Sequence, residues 1–248
     1  MAEGGDNTTK LQESHVNRLF QNCSAHLKQF FGRRENKEDW EFEWQRDNWS
    51  KEYARPEIKR KVHEYWIEYR HLREIEQQVP LTDETRILDV GCGISTVLHY
   101  LPGTRIGIDP LADRYKQIFN YPDEIDIRGA YAESLPFDDG SFDVVFCSNC
   151  IDHTTDPQVA ISEIYRVLRP AGYFILTCET FSENIGERNV AHPHSLNFDA
   201  LQSLVREFAP VAHWQSPWYG LRKYALGHAP TEQVENIFLL QRPAATGA

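Results

Sequence analysis

The sequence predicts an α/β fold built on a mostly parallel sheet. Five short apolar runs alternate with three stretches of helical spacing. The apolar runs lie near 86–90, 104–108, 125–128, 143–148 and 172–178. The helical stretches lie near 94–101, 111–119 and 157–168. This alternation indicates parallel strands that are joined by right-handed crossover helices.

Helical spacing also precedes the first strand. Residues 11–31 carry apolar side chains at intervals of three and four, and residues 56–78 form an amphipathic pattern that Pro80 ends. Trp66 and Tyr69 lie on the apolar face of this second pattern, so we expect them to pack against the sheet.

These patterns predict two parts. Residues 1–80 are expected to form a helical extension, whose aromatic segment 33–52 closes over the ligand site as a lid. Residues 81–248 are expected to form the main domain, with an acceptor-pocket insert at about 180–232. The last elements are predicted as a helix near 197–208 and strands near 210–215 and 235–241.

The composition limits the classes of function. The 248 residues are 41% hydrophobic and 25% charged, which suits one α/β domain with an extension. A net charge of -11 disfavours binding to nucleic-acid phosphates or to an anionic membrane surface. Five cysteines without disulfide spacing, a polar start and no apolar run of membrane length predict a cytoplasmic protein. With the acidic charge, they predict no nucleic-acid or membrane partner.

Acidic residues and glycines mark the ends of the first two strands. Asp89 ends the first strand and precedes Gly91-Cys92-Gly93, a turn in which the backbone can approach a ligand closely. Asp109 ends the second strand, where an acid suits the two hydroxyls of a ribose. A loop containing Ala132-Glu133-Ser134-Leu135-Pro136 then leads into another buried strand. Together these features indicate a nucleotide-type ligand.

In these residues the chain resembles the class I S-adenosylmethionine-dependent methyltransferases, in particular the type 11-like branch that modifies small molecules. The resemblance runs from about Arg86 to Cys178. It implies a Rossmann-like sheet of seven mostly parallel strands, with helices on both faces and an antiparallel last strand. It also implies S-adenosyl-L-methionine as cofactor, and methyl transfer to a small-molecule acceptor by in-line displacement.

The resemblance assigns roles to individual residues. Asp89 would favour the ammonium group of the cofactor, or bond loop amides instead. Asp109 would bind the ribose, Ala132 and Glu133 would flank the adenine, and Asn149 would face the amino-acid tail; Glu133 could instead be a solvated loop acid. The full set of implied cofactor-binding residues is Asp89, Gly91, Cys92, Gly93, Asp109, Pro110, Ala132, Glu133, Ser134 and Asn149.

The predicted catalytic residues are His153, Asp152 and His194. A general base is needed only where the acceptor starts protonated, and His153 could instead be a hydrogen-bonded loop histidine. His192 and His194 have a spacing that occurs in metal sites, but no third ligand is obvious. We therefore expect no metal site, and expect this pair to line the substrate pocket or to pack its loop.

Three further interpretations stay open. A nicotinamide-dependent oxidoreductase would use a similar sheet, although the third glycine of its fingerprint is replaced by Thr96. A non-catalytic S-adenosylmethionine-binding module would keep the same pocket. Arg70 and Arg73 could contact the carboxylate of the cofactor, but are expected to be solvated or paired with Glu74 and Glu76.

Overall fold

The computed structural model describes residues 36–51, 53–180, 192–217, 225, 227 and 234–244. The chain divides into two compact units, residues 1–40 and 41–248, and of the first unit only residues 36–40 are described. The helix predicted over 11–31 lies outside the described residues. The predicted division between an extension and a main domain at residue 80 stays a prediction.

Seven strands form one sheet in the order β3-β2-β1-β4-β5-β7-β6. Strands β1 to β5 pair in parallel, whereas β7 runs antiparallel to both β5 and β6. The predicted mostly parallel sheet with an antiparallel last strand is therefore confirmed. The strands are β1 Arg86–Val90, β2 Thr104–Ile108, β3 Ile125–Arg128, β4 Phe142–Ser148, β5 Leu168–Thr180, β6 Ala209–Pro217 and β7 Val234–Gln241.

Helices surround this sheet. The α-helices are α1 Lys37–Gln45, α2 Pro56–Glu68, α3 Leu72–Gln78, α4 Ala112–Tyr115, α5 Pro157–Val167 and α6 Phe198–Leu204. A π-helical turn follows α1 over Arg46–Ser50, and short 3-10 turns lie at Val97–Tyr100 and Ile151–His153. Helix α5 begins at Pro157, and the preceding Asp156 carboxylate accepts hydrogen bonds from the free amides of Gln158 and Val159.

The single helix predicted over 56–78 is wrong: α2 and α3 are separate helices. His71 has a left-handed backbone with φ of 53°, and it begins α3. The amides of Tyr69 and Arg70 both donate to the Tyr65 carbonyl, which closes the end of α2. The break turns the Arg70 side chain into the protein, where it is 5% exposed.

Two further predicted helices are shorter in the structure. The stretch near 94–101 holds only the 3-10 turn Val97–Tyr100, because Thr96 is extended and its hydroxyl caps the Leu98 amide. The stretch near 111–119 forms α4 over Ala112–Tyr115 and then continues as irregular turns. Strand β5 begins four residues before the predicted 172, and Ala171 adopts a left-handed backbone within it.

The core lies on both faces of the sheet. Because side chains alternate along a strand, Ile87 joins one buried cluster with α2 and α3, whereas Leu88 joins a second cluster with α5 and α6. Trp66 is 3% exposed within the first cluster, so its predicted packing is confirmed. Tyr69 is half-buried and stacks on Tyr65, with ring centroids 5.6 Å apart.

A buried ion pair connects the α2–α3 junction to β7. The Arg70 guanidinium lies 2.7 Å from Glu235 Oε1, and the two side chains are 6% and 0% exposed. Tyr65 donates from its hydroxyl to the other carboxylate oxygen at 2.9 Å. Arg70 also lies 4.6 Å from the centre of the Trp66 ring. The expectation that Arg70 would be solvated or paired with Glu74 and Glu76 is therefore wrong.

We expect Arg70→Met to lower the free energy of unfolding by about 3–5 kcal/mol, because it leaves the Glu235 carboxylate buried without its cation. The double variant Arg70→Met/Glu235→Leu should lose less stability than Arg70→Met, since it removes both charges. Urea unfolding measures each value. Arg73→Met is the matched control, because Arg73 is exposed and its change should stay within about 0.5 kcal/mol. A double variant as unstable as the sum of its single variants would contradict this account.

Candidate functional site

The carboxyl ends of β1, β2 and β4 lie side by side. Val90 pairs with Ile108 on one side and with Cys147 on the other. The connections from β1 and β4 therefore leave the sheet at the point where the strand order reverses, and ligands of open α/β sheets bind at such points. The residues that follow these strands are the glycine turn, Asp109 and Asn149.

The glycine turn is held against β2 and β4. The amides of Gly91 and Cys92 both donate to the Ile108 carbonyl, at 2.9 and 3.0 Å. Gly91 has φ of 72°, and a Cβ atom there would lie 2.2 Å from Cys150 Sγ. The sequence suggested that Gly91 leaves room for a ligand. In the structure its nearest neighbour is Cys150, which demands a glycine by itself.

Asp89 is buried beneath this turn and is 3% exposed. Thr96 donates from its hydroxyl to Asp89 Oδ2 at 2.6 Å. Within the described part of the chain the other oxygen, Oδ1, is buried without a hydrogen-bond partner. Burial raises the pKa of Asp89 to about 7, against the hydrogen bond from Thr96. This carboxyl group therefore has unused capacity for a donor or a cation.

Asp109 ties the glycine turn to the start of α4. Its Oδ2 accepts from the Gly93 amide at 3.2 Å, and its Oδ1 accepts from the Leu111 amide at 2.9 Å. Asp109 is 8% exposed. Each carboxylate oxygen can accept a further hydrogen bond, so the group can hold the loop and still bind a ligand hydroxyl.

Other predicted cofactor residues differ in how they face the site. The Cys92 side chain packs on β2, where a Cβ at Gly107 would lie 2.9 Å from its sulfur. Pro110 and Ser134 are exposed, and Ala132 is buried. Their roles in cofactor binding stay predictions.

Glu133 holds the entry to α5. Its Oε1 accepts from the Thr155 amide at 2.6 Å and from the Asp156 amide at 3.3 Å. The solvated loop acid that the sequence left open does not describe this side chain. Its carboxylate instead joins the loop of Ala132 to the segment that carries His153. The predicted contact with adenine stays a prediction.

Asn149 ends β4 in a left-handed conformation with φ of 52°. Its amide donates to the Thr177 carbonyl at 2.9 Å. This bend sends the chain back over the sheet, into the 3-10 turn Ile151–His153. The turn places Asp152 and His153 beside the ends of β1 and β4.

Asp152 and His153 meet His192 and Glu41. His153 Nε2 lies 3.9 Å from Asp152 Oδ1, and its Nδ1 lies 3.9 Å from Glu41 Oε2. The His153 and His192 ring centroids are 4.2 Å apart. The His194 ring makes other contacts: its Nε2 lies 3.1 Å and 3.3 Å from the Thr154 and Thr155 carbonyl oxygens. The predicted role of His194 in catalysis stays a prediction.

The end of α1 covers the glycine turn. Gln45 Oε1 accepts from the Ile94 amide at 3.5 Å. The Phe42 ring stacks on Tyr115 with centroids 6.1 Å apart. Neither Gln45 nor Glu41 was singled out from the sequence, because their partners lie more than forty residues along the chain. The aromatic residues around them were the only local signal.

An open groove of about 510 Å³ lies beside β3. Its lining residues are Lys116, Phe119, Asn120, Tyr121, Pro122, Asp123, Ile125, Asp126 and Ile127. It contains none of the aspartates at the strand ends, so it is separate from the candidate site. Tyr121 separates the two, since its hydroxyl donates to the Gly93 carbonyl at 2.9 Å.

A family model described as a methyltransferase domain matches residues 88–176, from β1 into β5. This part of the chain is similar to a methyltransferase domain. The resemblance to class I methyltransferases and the predicted Rossmann-like fold are thus confirmed.

Two curated relatives are methyltransferases by name. YrhH of Bacillus subtilis is 31% identical over 119 residues, which are 44% of this chain and 64% of YrhH. YcgJ of the same organism, an uncharacterized methyltransferase, is 34% identical over 101 residues, which are 38% of this chain and 40% of YcgJ. The matches span less than two thirds of either relative.

Solved structures share the fold. The crystal structure of YcgJ has a TM-score of 0.52 at 19% identity, covering 71% of this chain and 98% of that one. Phosphoethanolamine N-methyltransferase 2 of Haemonchus contortus, solved with phosphomonomethylethanolamine and S-adenosylhomocysteine, has a TM-score of 0.53 at 17% identity. It covers 69% of this chain and 52% of that one. Among the described residues, no helix is both long and apolar enough to span a bilayer.

We expect Gly91→Ala to be far more destabilising than Gly227→Ala. Both glycines have positive φ, of 72° and 77°, but a Cβ at Gly227 meets nothing within 4 Å. Gly227→Ala is the control, and it should lower the free energy of unfolding only by the backbone strain, about 1–2 kcal/mol. Gly91→Ala should cost about 1–3 kcal/mol more, because Cys150 must move. Urea unfolding checks both values, and the double variant Gly91→Ala/Cys150→Gly should recover part of the difference. Equal losses for the two alanine variants would contradict the role of Cys150.

Proposed function

We propose that this protein is an S-adenosylmethionine-dependent methyltransferase that acts on a small molecule. The observation that carries the proposal is the pair of buried aspartates on either side of the glycine turn. Asp89 offers a buried, unsatisfied oxygen below the turn, and Asp109 offers two partly used oxygens beside it. One suits the ammonium group of the cofactor, and the other suits the ribose hydroxyls.

The remaining cofactor contacts follow from the same strand ends. Gly91, Cys92 and Gly93 would lie along the amino-acid tail, with Asn149 facing it from β4. Ala132 would supply an apolar wall for the adenine, while Glu133 and Ser134 would border its edge and Pro110 would lie beside the ribose. S-adenosylhomocysteine in the Haemonchus contortus enzyme of the same fold supports this choice of cofactor.

When bound, S-adenosylmethionine supplies a methyl group on a sulfur that leaves readily. The residues of this chain then have two tasks. The first is to position the acceptor in line, which can supply much of the rate. The second is to keep water out, and the end of α1 suits that task because Gln45 contacts the segment after the glycine turn and Phe42 stacks on Tyr115 of α4.

Proton removal is the task of the Asp152–His153 pair. His153 lies between the carboxylates of Glu41 and Asp152, and both stabilise an imidazole ring that has accepted a proton. The pair follows β4, on the side of the turn where an acceptor would approach the methyl group. A net charge of -11 favours a small acceptor over a nucleic acid. An oxidoreductase fits less well, because the hydroxyl of Thr96 already bonds Asp89 where that fingerprint needs a glycine.

We expect Asp109→Asn to weaken S-adenosylhomocysteine binding by about 10- to 100-fold, through the loss of charged hydrogen bonds to the ribose. Isothermal titration calorimetry measures the affinity. Because Asp109 also holds the loop, the same titrations are run with the 2′-deoxy analogue. The wild-type protein should lose affinity for this analogue, whereas the variant should barely distinguish the two ligands.

Asp113→Asn is the control, since this aspartate is exposed near the start of α4 and should bind normally. NAD is titrated in parallel. If the Asp109→Asn variant loses the same affinity for both adenosyl ligands, Asp109 does not contact the ribose. Heat of binding with NAD but not with S-adenosylhomocysteine would overturn the proposed function.

We expect the affinity for S-adenosylhomocysteine to rise about tenfold between pH 6 and pH 8. In the free protein burial raises the pKa of Asp89 to about 7, so the carboxyl is largely protonated at pH 6. The cationic ammonium group favours the ionised form, and binding releases a proton below pH 7. Asp89→Asn should bind more weakly and with a flat pH profile between these values. A variant that keeps the slope would assign it to another group.

In the ligand-free protein, Asp89 lowers the stability of the fold as the pH rises, whereas the affinity for the ligand increases. Its folded-state pKa lies above the unfolded value near 3.9, so its contribution to stability is fully present below that value. The contribution declines as the pH rises from about 4 through about 7, because ionisation must then occur in a buried site.

A further inference from the structure

Two imidazoles and a carboxylate converge where the chain leaves β4. Asp152, His153 and His192 each place a ligand atom within 4.8 Å of the ligand atoms of the other two. Asp152 is 3% exposed, while His153 and His192 are half-buried. Two nitrogens and one oxygen are the donor set that Zn²⁺ and related divalent transition metals accept.

We propose that Asp152, His153 and His192 bind a divalent transition metal ion, and that this ion binds the hydroxyl group of the methyl acceptor. The second part rests on the proposed function, which places an acceptor at this end of the sheet. Three protein ligands leave a coordination position open, as in catalytic rather than structural zinc sites. The acceptor class is therefore a small molecule that is methylated on oxygen.

The neighbouring groups support a metal site. Glu41 Oε2 lies 3.9 Å from His153 Nδ1, and Asp152 Oδ1 lies 3.9 Å from His153 Nε2. A carboxylate on the far nitrogen of a metal-bound histidine fixes the ring and makes it a stronger ligand. Further buried carboxylates lie near Asp152: burial raises the pKa of the Cys178 thiol, and the charges of Asp152, Glu235 and Glu179 raise it further. A cation is therefore favoured here.

The two histidines that are closest in sequence do not act as a pair. The His194 amide donates to the Asp152 carbonyl at 3.4 Å, and its ring contacts the Thr154 and Thr155 carbonyls. These bonds anchor the segment to the turn that carries Asp152. Anchored in this way, the segment holds His192 against His153, and the third ligand comes from Asp152 rather than from His194.

The site is close to metal-binding dimensions. Ligand atoms around a tetrahedral zinc ion, at bonds of about 2.0–2.1 Å, lie about 3.4 Å apart. The three ligand atoms therefore need to approach by roughly an ångström, which side-chain rotation allows. With the ion bound, His153 is a ligand and no longer the base. An acceptor hydroxyl on the ion releases its proton to solvent, because a metal ion lowers the pKa of a bound oxygen. The acceptor oxygen then forms its new bond to the methyl carbon, while the carbon–sulfur bond breaks and its electron pair stays on sulfur.

The test uses the full chain after treatment with a chelator. The protein is titrated with Co²⁺, and the visible absorption of the bound ion measures binding. A second titration uses Zn²⁺ in competition with a chromophoric chelator. The wild-type protein should bind one equivalent of either metal. Asp152→Asn and His192→Gln should each weaken binding by at least about 100-fold. Glu41→Gln should weaken it by about 10- to 100-fold, because it removes the orienting carboxylate. His63→Gln is the matched control, since His63 stacks on Tyr100 in another part of the protein and should bind metal like the wild type.

Circular dichroism shows whether each variant is folded, and Glu41→Gln, outside the ligand set, keeps the test meaningful if a ligand variant unfolds. Cobalt binding that is unchanged in Asp152→Asn and His192→Gln would overturn the proposal, as would a wild-type protein that binds neither metal. Titration of S-adenosylhomocysteine with and without chelator distinguishes a failure of the metal site from a failure of the proposed function. Cofactor binding without metal binding would sink the metal site alone, whereas metal binding without cofactor binding would sink the proposed function and leave the metal site.

Discussion

The site depends on one arrangement: β1 pairs in parallel with β2 on one side and β4 on the other. Parallel strands end at the same edge, so this pairing brings together three segments that lie far apart in sequence. Asp89 and the glycine turn come from β1, Asp109 comes from β2, and Asn149 comes from β4. Because the connections leave on different faces, a crevice opens above the middle strand.

Short-range patterns account for what the sequence predicted well. The end of a buried strand, an acid and a glycine turn are all readable within seven residues, so Asp89 and Gly91 could be placed without the structure. Strand alternation fixed the sheet, since a parallel sheet limits the topologies that are available. The reason for Gly91 was only half visible, because Cys150 lies far along the chain, in the segment after β4.

Long-range contacts account for the features that the sequence did not predict. The helix predicted over 56–78 is broken at His71, where Arg70 turns inward to Glu235, 165 residues away. No local pattern near Arg70 records that partner. Gln45 and Glu41 reach the site in the same way, from a helix whose partners lie in the segments after β1 and β4. The His192 and His194 spacing suggested a pair, whereas tertiary packing directs one ring to the site and the other to backbone carbonyls.

Charge explains why this edge of the sheet should bind cations. Among the residues that the structure describes, the buried acids are Asp89, Asp109, Asp152, Glu179 and Glu235, and the buried basic residue is Arg70. Glu179 and Glu235 also lie opposite each other on β5 and β7, a position in which like charges destabilise a sheet. Arg70 offsets one of these charges, and the rest leave a negative potential in a region of low dielectric. An ammonium group near Asp89 and a divalent ion near Asp152 would both lower the energy of this edge. The protein would then be least stable where the two cations are proposed to bind, and each cation that binds the folded state alone would raise its stability.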